Sequence, residues 1–349
     1  MKIPAINQNY LIEVLQGLLN TPSPTGFAHM AVNYMESKLS EFPGLEITRT
    51  RKGALLAALP GARSEGVRAV ASHVDTLGAM VKEIKTNGRL KLTQVGGYAW
   101  DTVENESVRI FTRDGKEFIG TIILGKASTH VYGKEVSELK RDEDTLEVRL
   151  DERTESEEET RALGIEVGDF VSLDPRVVIH NGFIRSRHLD DKACAACMLA
   201  AVQALQNALL IPRRKVYFYF SNYEEVGHGG SSGIPEEVTE LLVTDMAAVG
   251  EGQTSDEYHT TICVKDSSGP YDHDFSLRLR SLAEAHDIDF KVDIYPYYGS
   301  DGSMYWRSGG SGVVALIGPG VGASHNYERT HVDALIATTQ WILAYLLSD

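Results

Sequence analysis

A change of texture part-way along the chain restricts the fold more than any other feature. Up to about residue 80, helical patterns near 9–20 and 26–41 give way to the apolar strands LEITRT, ALLAAL and VRAVASH. From about 176 the alternation resumes. A helix over roughly 191–207 is followed by the strands KVYFYFS, LLVTDM and HTTICV, a helix near 273–286 and the strand FKVDIY. A short helix near 301–308, the strand GVVALI and a last helix, HVDALIATTQWILAYLL, complete it. Helices alternating with apolar strands predict an α/β domain built on a mostly parallel sheet with helices on its faces.

Between about 84 and 174 the pattern differs. The short alternating segments GRLKLTQVGG, SVRIFTRDG, EFIGTIIL and TLEVRLD are separated by Gly, Asn and Asp turns, with one acidic helical candidate, TESEEETRALG. Such spacing suits a small β-barrel or sandwich inserted into the α/β domain. The expected organisation is a discontinuous domain, 1–83 plus 175–349, with a β-rich insert at 84–174. At 349 residues the chain is somewhat long for one compact unit. The insert carries no clustered His and has strand edges that need partners, which points to assembly rather than chemistry.

A formal charge of −15 argues against a nucleic-acid partner, because phosphate contacts need clustered Lys and Arg. No apolar run approaches the roughly 18 residues of a membrane span. The first residues read as an amphipathic helix with Leu11, Val14, Leu15 and Leu18 on one face, not as a signal peptide, so a cytoplasmic protein is expected. Cys194 and Cys197 are spaced C-x-x-C. They fall in a small-residue helical pattern, however, and Cys263 stands alone, so no second pair completes a structural zinc site. Cys194 and Cys197 read as small core hydrophobes.

The chemistry concentrates at strand ends. The segment AVASHVD delivers His73 and Asp75, and SRHLDDKACAA delivers His188, Asp190 and Asp191 just before a helix. KVYFYFSNYEE ends on Glu224 and Glu225, ELLVTDM on Asp245, and GVGASHNYERTH carries His325 and His331. In an open α/β sheet, ligands bind in the crevice at the carboxyl ends of strands, so these groups should converge there. His with carboxylates and no thiolate is a ligand set for zinc, cobalt or manganese. A metal pair also accounts for two adjacent glutamates beside an apolar strand: one coordinates a cation, and the other holds the attacking water and acts as general base. Taken singly, each carboxylate reads better as a helix cap or a surface residue; five strand-end positions together do not.

In this order, SHVDTLGAMV, HLDDKACAA, EEVGHGGSS and ASHNYERTH resemble the tetrahedral (TET-type) aminopeptidases, dinuclear metallo-exopeptidases that include glutamyl and deblocking aminopeptidases. The resemblance covers essentially the whole chain. It implies a three-layer helix–sheet–helix zinc-exopeptidase-like domain with an inserted small β-barrel, and two divalent ions (Zn, Co or Mn) per subunit. Carried over residue by residue, His73 and Asp245 bind one metal, Glu225 and His325 the other, and Asp190 bridges them. Glu224 is the base, and Asp75 orients the His73 ring. Glu251 in VGEGQTSD is the rival to Asp245. The implied activity is removal of N-terminal residues from peptides by a homo-oligomer, with large hollow assemblies expected. DPRVVIHNGFIRSRHLDDK and KDSSGPYDHDF also resemble a bacterial subgroup associated with the osmoprotectant N-acetylglutaminylglutamine amide, which implies a small dipeptide-like substrate.

Other readings carry their own residues. GGSSG matches G-x-S-x-G, which would make Ser231 a serine-hydrolase nucleophile with His325 and Asp301, but it lies several residues past its strand and runs into IPEE. A dipeptidase or deacylase of the same metal class would use the ligand set above. A glycosidase needs two carboxylates roughly 5–9 Å apart across a sugar bond, which adjacent glutamates on an extended chain do not offer. A binding protein would have no need for Glu224 beside Glu225. No phosphate-binding G-x-x-x-x-G-K-[ST] loop is present.

Overall fold

The computed structural model describes residues 2–349, with the side chains of all of these but Ser64. The chain divides into two units, Met1–Asp75 with Arg176–Asp349, and Thr76–Pro175.

The first unit is built on a large mixed sheet whose centre is four parallel strands, in the order Arg214–Ser221, Arg63–His73, Val238–Thr244 and Val313–Gly322. The antiparallel strands Leu55–Leu59 and Glu46–Arg49 extend one side. On the other, Glu328–His331, Phe183–Ser186 and Val178–His180 continue it. A branch from Val313–Gly322 adds Thr260–Asp266 and then Phe290–Ile294. The central strands are apolar on both faces, as parallel strands covered on both sides must be. Val70, Phe218, Phe220, Leu242 and Ile317 point into one core, and Ala69, Ala71, Tyr219, Leu241, Val243 and Leu316 into the other.

The larger core lies under the helices Gln8–Leu19, His29–Leu39, Leu189–Asn207, His273–Ala285 and Val332–Leu347. In the first of these Leu11, Val14, Leu15 and Leu18 are fully buried, and Asn7 caps the start by accepting from Tyr10 N at 3.2 Å. Burying each such leucine contributes roughly 1.5–3 kcal/mol. Leu189–Asn207 is almost entirely buried, and its run of Ala and Cys lets neighbouring helices pack closely. Cys194 and Cys197 are free thiols in this core, and burial pushes Cys197 up to about 12, so neither offers a thiolate. The smaller core on the opposite face is closed by the short helix Asp301–Arg307 and by Tyr271, Tyr295 and Tyr305. The buried Arg68 guanidinium holds the chain's end: it pairs with Glu240 at 3.0 Å and donates to the carbonyls of Tyr345 and Ser348 where the last helix finishes.

The second unit is a closed antiparallel barrel of six strands, in the order Gly78–Ile84, Leu90–Val95, Leu146–Leu150, Glu117–Leu124, Ser107–Phe111 and Phe170–Leu173. Its interior is a separate apolar core that includes Val81, Leu92, Ile110, Ile122, Val148 and Val171. Closure removes the open edges a flat sheet of these short strands would expose. The acidic segment forms the helix Glu157–Ala162, capped by Ser156 accepting from Glu159 N at 3.3 Å. No helix among the described residues is long and apolar enough to cross a membrane.

Candidate metal centre and active site

The parallel strands stop together, and the acidic and imidazole groups follow. His73 is the last residue of its strand and lies in register with Ser221, while Thr244, directly before Asp245, pairs with Ile317. Glu224 and Glu225 come three and four residues after Ser221, and His325 three after Gly322. Asp190 and Asp191 open the buried helix with non-helical backbone angles, joined by a cis peptide. His188, Tyr223, Ala323 and His325 all have positive φ (71°, 74°, 58° and 62°), so the approaches of Asp190, of Glu224 and Glu225, and of His325 each contain a left-handed residue. Backbone of this kind costs on the order of 1 kcal/mol or more per residue and is held only where surrounding structure dictates it.

Two sets of potential ligands result. The donor atoms of His73, Asp190 and Asp245 lie within 4.8 Å of one another, as do those of Asp190, Glu225 and His325. Asp190 belongs to both and divides its oxygens: Oδ1 is 3.0 Å from His73 Nε2, and Oδ2 is 3.5 Å from His325 Nε2. His325 Nε2 is also 3.5 Å from Glu225 Oε2. Glu224 falls in neither set, although its Oε2 is 3.8 Å from His73 Nε2. Glu251 is exposed and stands outside both.

The His73 tautomer follows from its surroundings. Nδ1–H donates to the main-chain oxygen of Asp75 at 2.9 Å, which turns Nε2 toward Asp190 Oδ1 at 3.0 Å. The Asp75 carboxylate is 3.8 Å from that ring and does other work. It accepts from Thr25 Oγ1 at 2.7 Å and from the backbone N–H of Glu224 and Glu225 at 3.3 and 3.4 Å. One residue thus orients the imidazole through its backbone and the glutamate pair through its side chain.

Electrostatics make the donor set incomplete on its own. The side chains of Glu224 and Glu225 are only 13% and 3% exposed. Burial, then the Asp190 charge, pushes Glu225 up to about 8. Burial likewise holds Glu224 well above the usual range, with His73 opposing and Asp301, Glu225 and Asp190 adding to it. Burial and the neighbouring Asp191 and Asp190 raise Asp245. Asp190 alone is lowered: burial would raise it, but its hydrogen bonds to His325 and His73 prevail. Among the described residues no Lys or Arg forms an ion pair with Asp190, Glu224, Glu225 or Asp245. Four carboxylates packed with two imidazoles and no side-chain cation suit divalent ions, and oxygen and nitrogen donors without thiolate fit Zn²⁺, Co²⁺ or Mn²⁺.

Three residues support the site in roles the sequence did not assign them. Glu328 accepts from Asp190 N at 3.2 Å and from His325 N at 3.1 Å, fixing the backbone of two potential ligands. Lys192 is buried, donates to Thr21 O at 2.7 Å, and burial lowers it to about 7 against the pull of Asp75. Asp301 accepts from Ser221 Oγ at 2.5 Å and from Gly230 N at 2.6 Å, tying the loop after Glu225 to the helix it begins. A β-carbon on Gly230 would come within 2.4 Å of the Asp301 main-chain oxygen, so glycine is what permits this approach. Glu328 lies in the polar run SHNYERTH, where a carboxylate ordinarily faces solvent.

The remaining candidates are elsewhere. Asp191 accepts from Ser72 Oγ at 2.6 Å, and His331 accepts from Asp333 N at 3.2 Å at the start of the last helix. Ser231 Oγ donates to His228 O at 2.8 Å and accepts from Lys52 Nζ at 3.0 Å. Among the described residues no imidazole hydrogen-bonds to Ser231, and Asp301 is turned toward Ser221 and Gly230 rather than His325. The metal-ligand groups open onto a cavity of about 740 Å³ bounded by Asp190, Glu224, Glu225, Asp245 and His325 at its base.

Along most of its length the chain is similar to known proteins. Residues 53–341 match the family model for M42 glutamyl aminopeptidases. YhfE of Bacillus subtilis (strain 168) is 47% identical over 338 residues, 97% of each chain. The fold superposes on the aminopeptidase APDkam598 from the archaeon Desulfurococcus kamchatkensis with a TM-score of 0.87 at 21% identity, covering 98% of this chain and 96% of that one. The TET1 peptidase of Pyrococcus horikoshii, which can assemble into a tetrahedron or a large octahedral shell, matches with a TM-score of 0.84 at 21% identity over 97% and 100% of the two chains. With a family model spanning most of its length and a relative nearly half identical from end to end, the chain belongs to the M42 glutamyl aminopeptidase family and is a peptidase.

Proposed function

We propose that the protein is a two-metal aminopeptidase that releases N-terminal residues from peptides, with Glu224 as general base. The observation that carries this reading is the division of the Asp190 oxygens between two ligand sets, with Glu224 beside both and a member of neither. His73, Asp190 and Asp245 would hold one divalent cation, and Asp190, Glu225 and His325 the other. When bound, such ions supply Lewis-acid polarisation of the scissile carbonyl and lower the pKa of water.

The chain's own residues then do the following. Asp75 keeps His73 Nε2 and the Glu224–Glu225 backbone in place. Glu224 takes a proton from the attacking water at its carboxylate and passes it to the departing amine. Burial raises its proton affinity above that of a free carboxylate, which favours taking up that proton. The cavity above the ligands receives the N-terminal residue. The barrel Thr76–Pro175 would serve self-association into a homo-oligomer, as its exposed Ile119, Val131 and Val167 favour.

The test is hydrolysis of a panel of peptides with free and with acylated N-termini, before and after chelation and with Zn²⁺, Co²⁺ or Mn²⁺ restored. Release of the first residue from free peptides only, lost on chelation and regained with metal, is the expected result. Cleavage of acylated peptides alone would assign a deacylase instead.

A further inference from the structure

The cavity above the ligand cluster has two ends of different chemistry. Its base carries every charged group that lines it: Asp190, Glu224, Glu225, Asp245 and His325. The rest of the lining comes from Gly227, Ser324 and residues of two segments, 246–253 and 295–304, and none of these lining residues is Lys, Arg, Asp or Glu, Glu251 and Asp301 of those segments not being among them. Met246 is buried, Ala248, Val249 and Met304 are half-buried, and Tyr297 is fully exposed at the rim.

Several of the polar side chains of this wall are already engaged. Tyr298 donates its hydroxyl to Met246 O at 2.9 Å, and the Tyr295 hydroxyl is bound to Ser255 Oγ at 2.7 Å. Once its amide is oriented correctly, Gln253 donates to both Asp293 oxygens and to Ile294 O. Asp293 also accepts from the backbone N–H of Thr254 and Ser255 at 2.9 Å each, so the two wall segments are pinned to each other. What faces the cavity is aliphatic, thioether and aromatic surface on a fixed frame.

From this we infer that the enzyme takes peptides whose N-terminal side chain is neutral and apolar, of leucine or methionine type, and rejects N-terminal glutamate, aspartate and lysine. The inference rests on the aminopeptidase reading above and runs against the substrate in the family's description. An acidic side chain entering this cavity would lose its water beside a wall with no Lys or Arg to receive it. A lysine ammonium would meet no carboxylate other than those at the base, of which only Glu224 lies outside the two ligand sets. A leucine or methionine side chain exchanges water for contact with Met246, Val249 and Met304 and leaves no polar atom unpaired.

The experiment measures kcat/KM for leucyl, methionyl, lysyl and glutamyl p-nitroanilides on the metal-loaded full chain, with inhibition by free L-methionine and L-glutamate as a separate reading of binding. Leucyl and methionyl substrates should exceed glutamyl and lysyl by about 100-fold or more, a ratio in keeping with an unpaired charge in a dry cavity. L-Methionine should inhibit at least about tenfold more tightly than L-glutamate. Met304→Lys places a cation in the wall at a half-exposed position, and it should raise the glutamyl-to-methionyl ratio at least about tenfold with metal content unchanged. Equal or faster cleavage of glutamyl or lysyl substrates overturns the inference and leaves the aminopeptidase reading standing. An unchanged ratio in a folded, metal-loaded Met304→Lys overturns it as well. Should the variant not fold, the wild-type rates and inhibition decide alone. Cleavage of none of the four substrates, with metal bound, would sink the aminopeptidase reading and this inference together.

Discussion

Changing Glu224 and Glu225 singly to Gln separates a base from a ligand with almost no change of shape. Glu224 stands outside both ligand sets, so Glu224→Gln should retain two metals per chain. The substitution also removes a buried carboxylate whose ionised form is opposed by burial and by Asp301, Glu225 and Asp190. Stability should therefore change by less than about 1 kcal/mol, a Tm shift of no more than ~4 °C for a chain of this size. The rate is another matter: kcat should fall by ~10²–10⁴, the range for a lost general base, which is about 3–5 kcal/mol of barrier. Affinity for a substrate-like inhibitor should hold within about threefold, because the missing interaction belongs to the transition state. Glu225→Gln should behave in the opposite way. Its oxygen lies 3.5 Å from His325 Nε2 in the set shared with Asp190, so one metal should bind at least ~10-fold more weakly. Activity should then recover in part at high metal concentration. Metal content by mass spectrometry after dialysis, with steady-state kinetics at several metal concentrations, reads both variants. Loss of metal from Glu224→Gln with retention in Glu225→Gln would invert the assignment. Full metal and full rate in both would refute a metal centre at this pair.

Metal uptake should be pH-dependent. Glu225 is pushed up to about 8, and Glu224 and Asp245 are also raised, so the metal-free centre holds protons at pH 6 that a cation must displace. Affinity should accordingly strengthen as pH rises from 6 to about 8 with proton release in calorimetry, and a pH-independent isotherm would contradict the argument. Gly230→Ala forces a β-carbon against the Asp301 main-chain oxygen, and thermal denaturation should show a loss of ~1–3 kcal/mol together with reduced kcat. Ser231→Ala should keep activity within about twofold, since a nucleophile's removal would cost at least ~10³-fold. Ile119→Glu combined with Val131→Glu should shift sedimentation toward smaller species while metal content per chain is kept, and an unchanged oligomer would remove the barrel from assembly.

What local sequence determines here is what short-range physics controls. Leu11, Val14, Leu15 and Leu18 repeat at helical spacing and are buried on one helix face, because that spacing leaves no other way to cover them. The apolar runs at 214–221, 63–73, 238–244 and 313–322 are strands covered on both faces, and their sequence alone required helices on the sheet. A polar residue directly after such a run, as with His73 and Asp245, must lie where the sheet ends, so the end of the sheet that holds the chemistry was readable. The barrel's inner strands were readable for the same reason, from their alternation.

Tertiary structure alone decided which strand ends meet. Asp245 and Glu251 lie six residues apart with the same carboxylate, and only the register of Val238–Thr244 against Val313–Gly322 brings the former to Asp190 and leaves the latter exposed. The strand Gly78–Ile84 joins the barrel because closure requires a sixth strand, a demand no local pattern expresses. Glu328 and Asp301 act on backbone atoms of segments 138 and 71 residues distant, so nothing near them in sequence marks their role. Asp75 reaches the His73 ring through a main-chain oxygen, which every residue possesses and no side-chain motif reports. Periodicity is a property of neighbours along the chain. Convergence depends on register, chain crossing and backbone geometry, which exist only after the chain has folded.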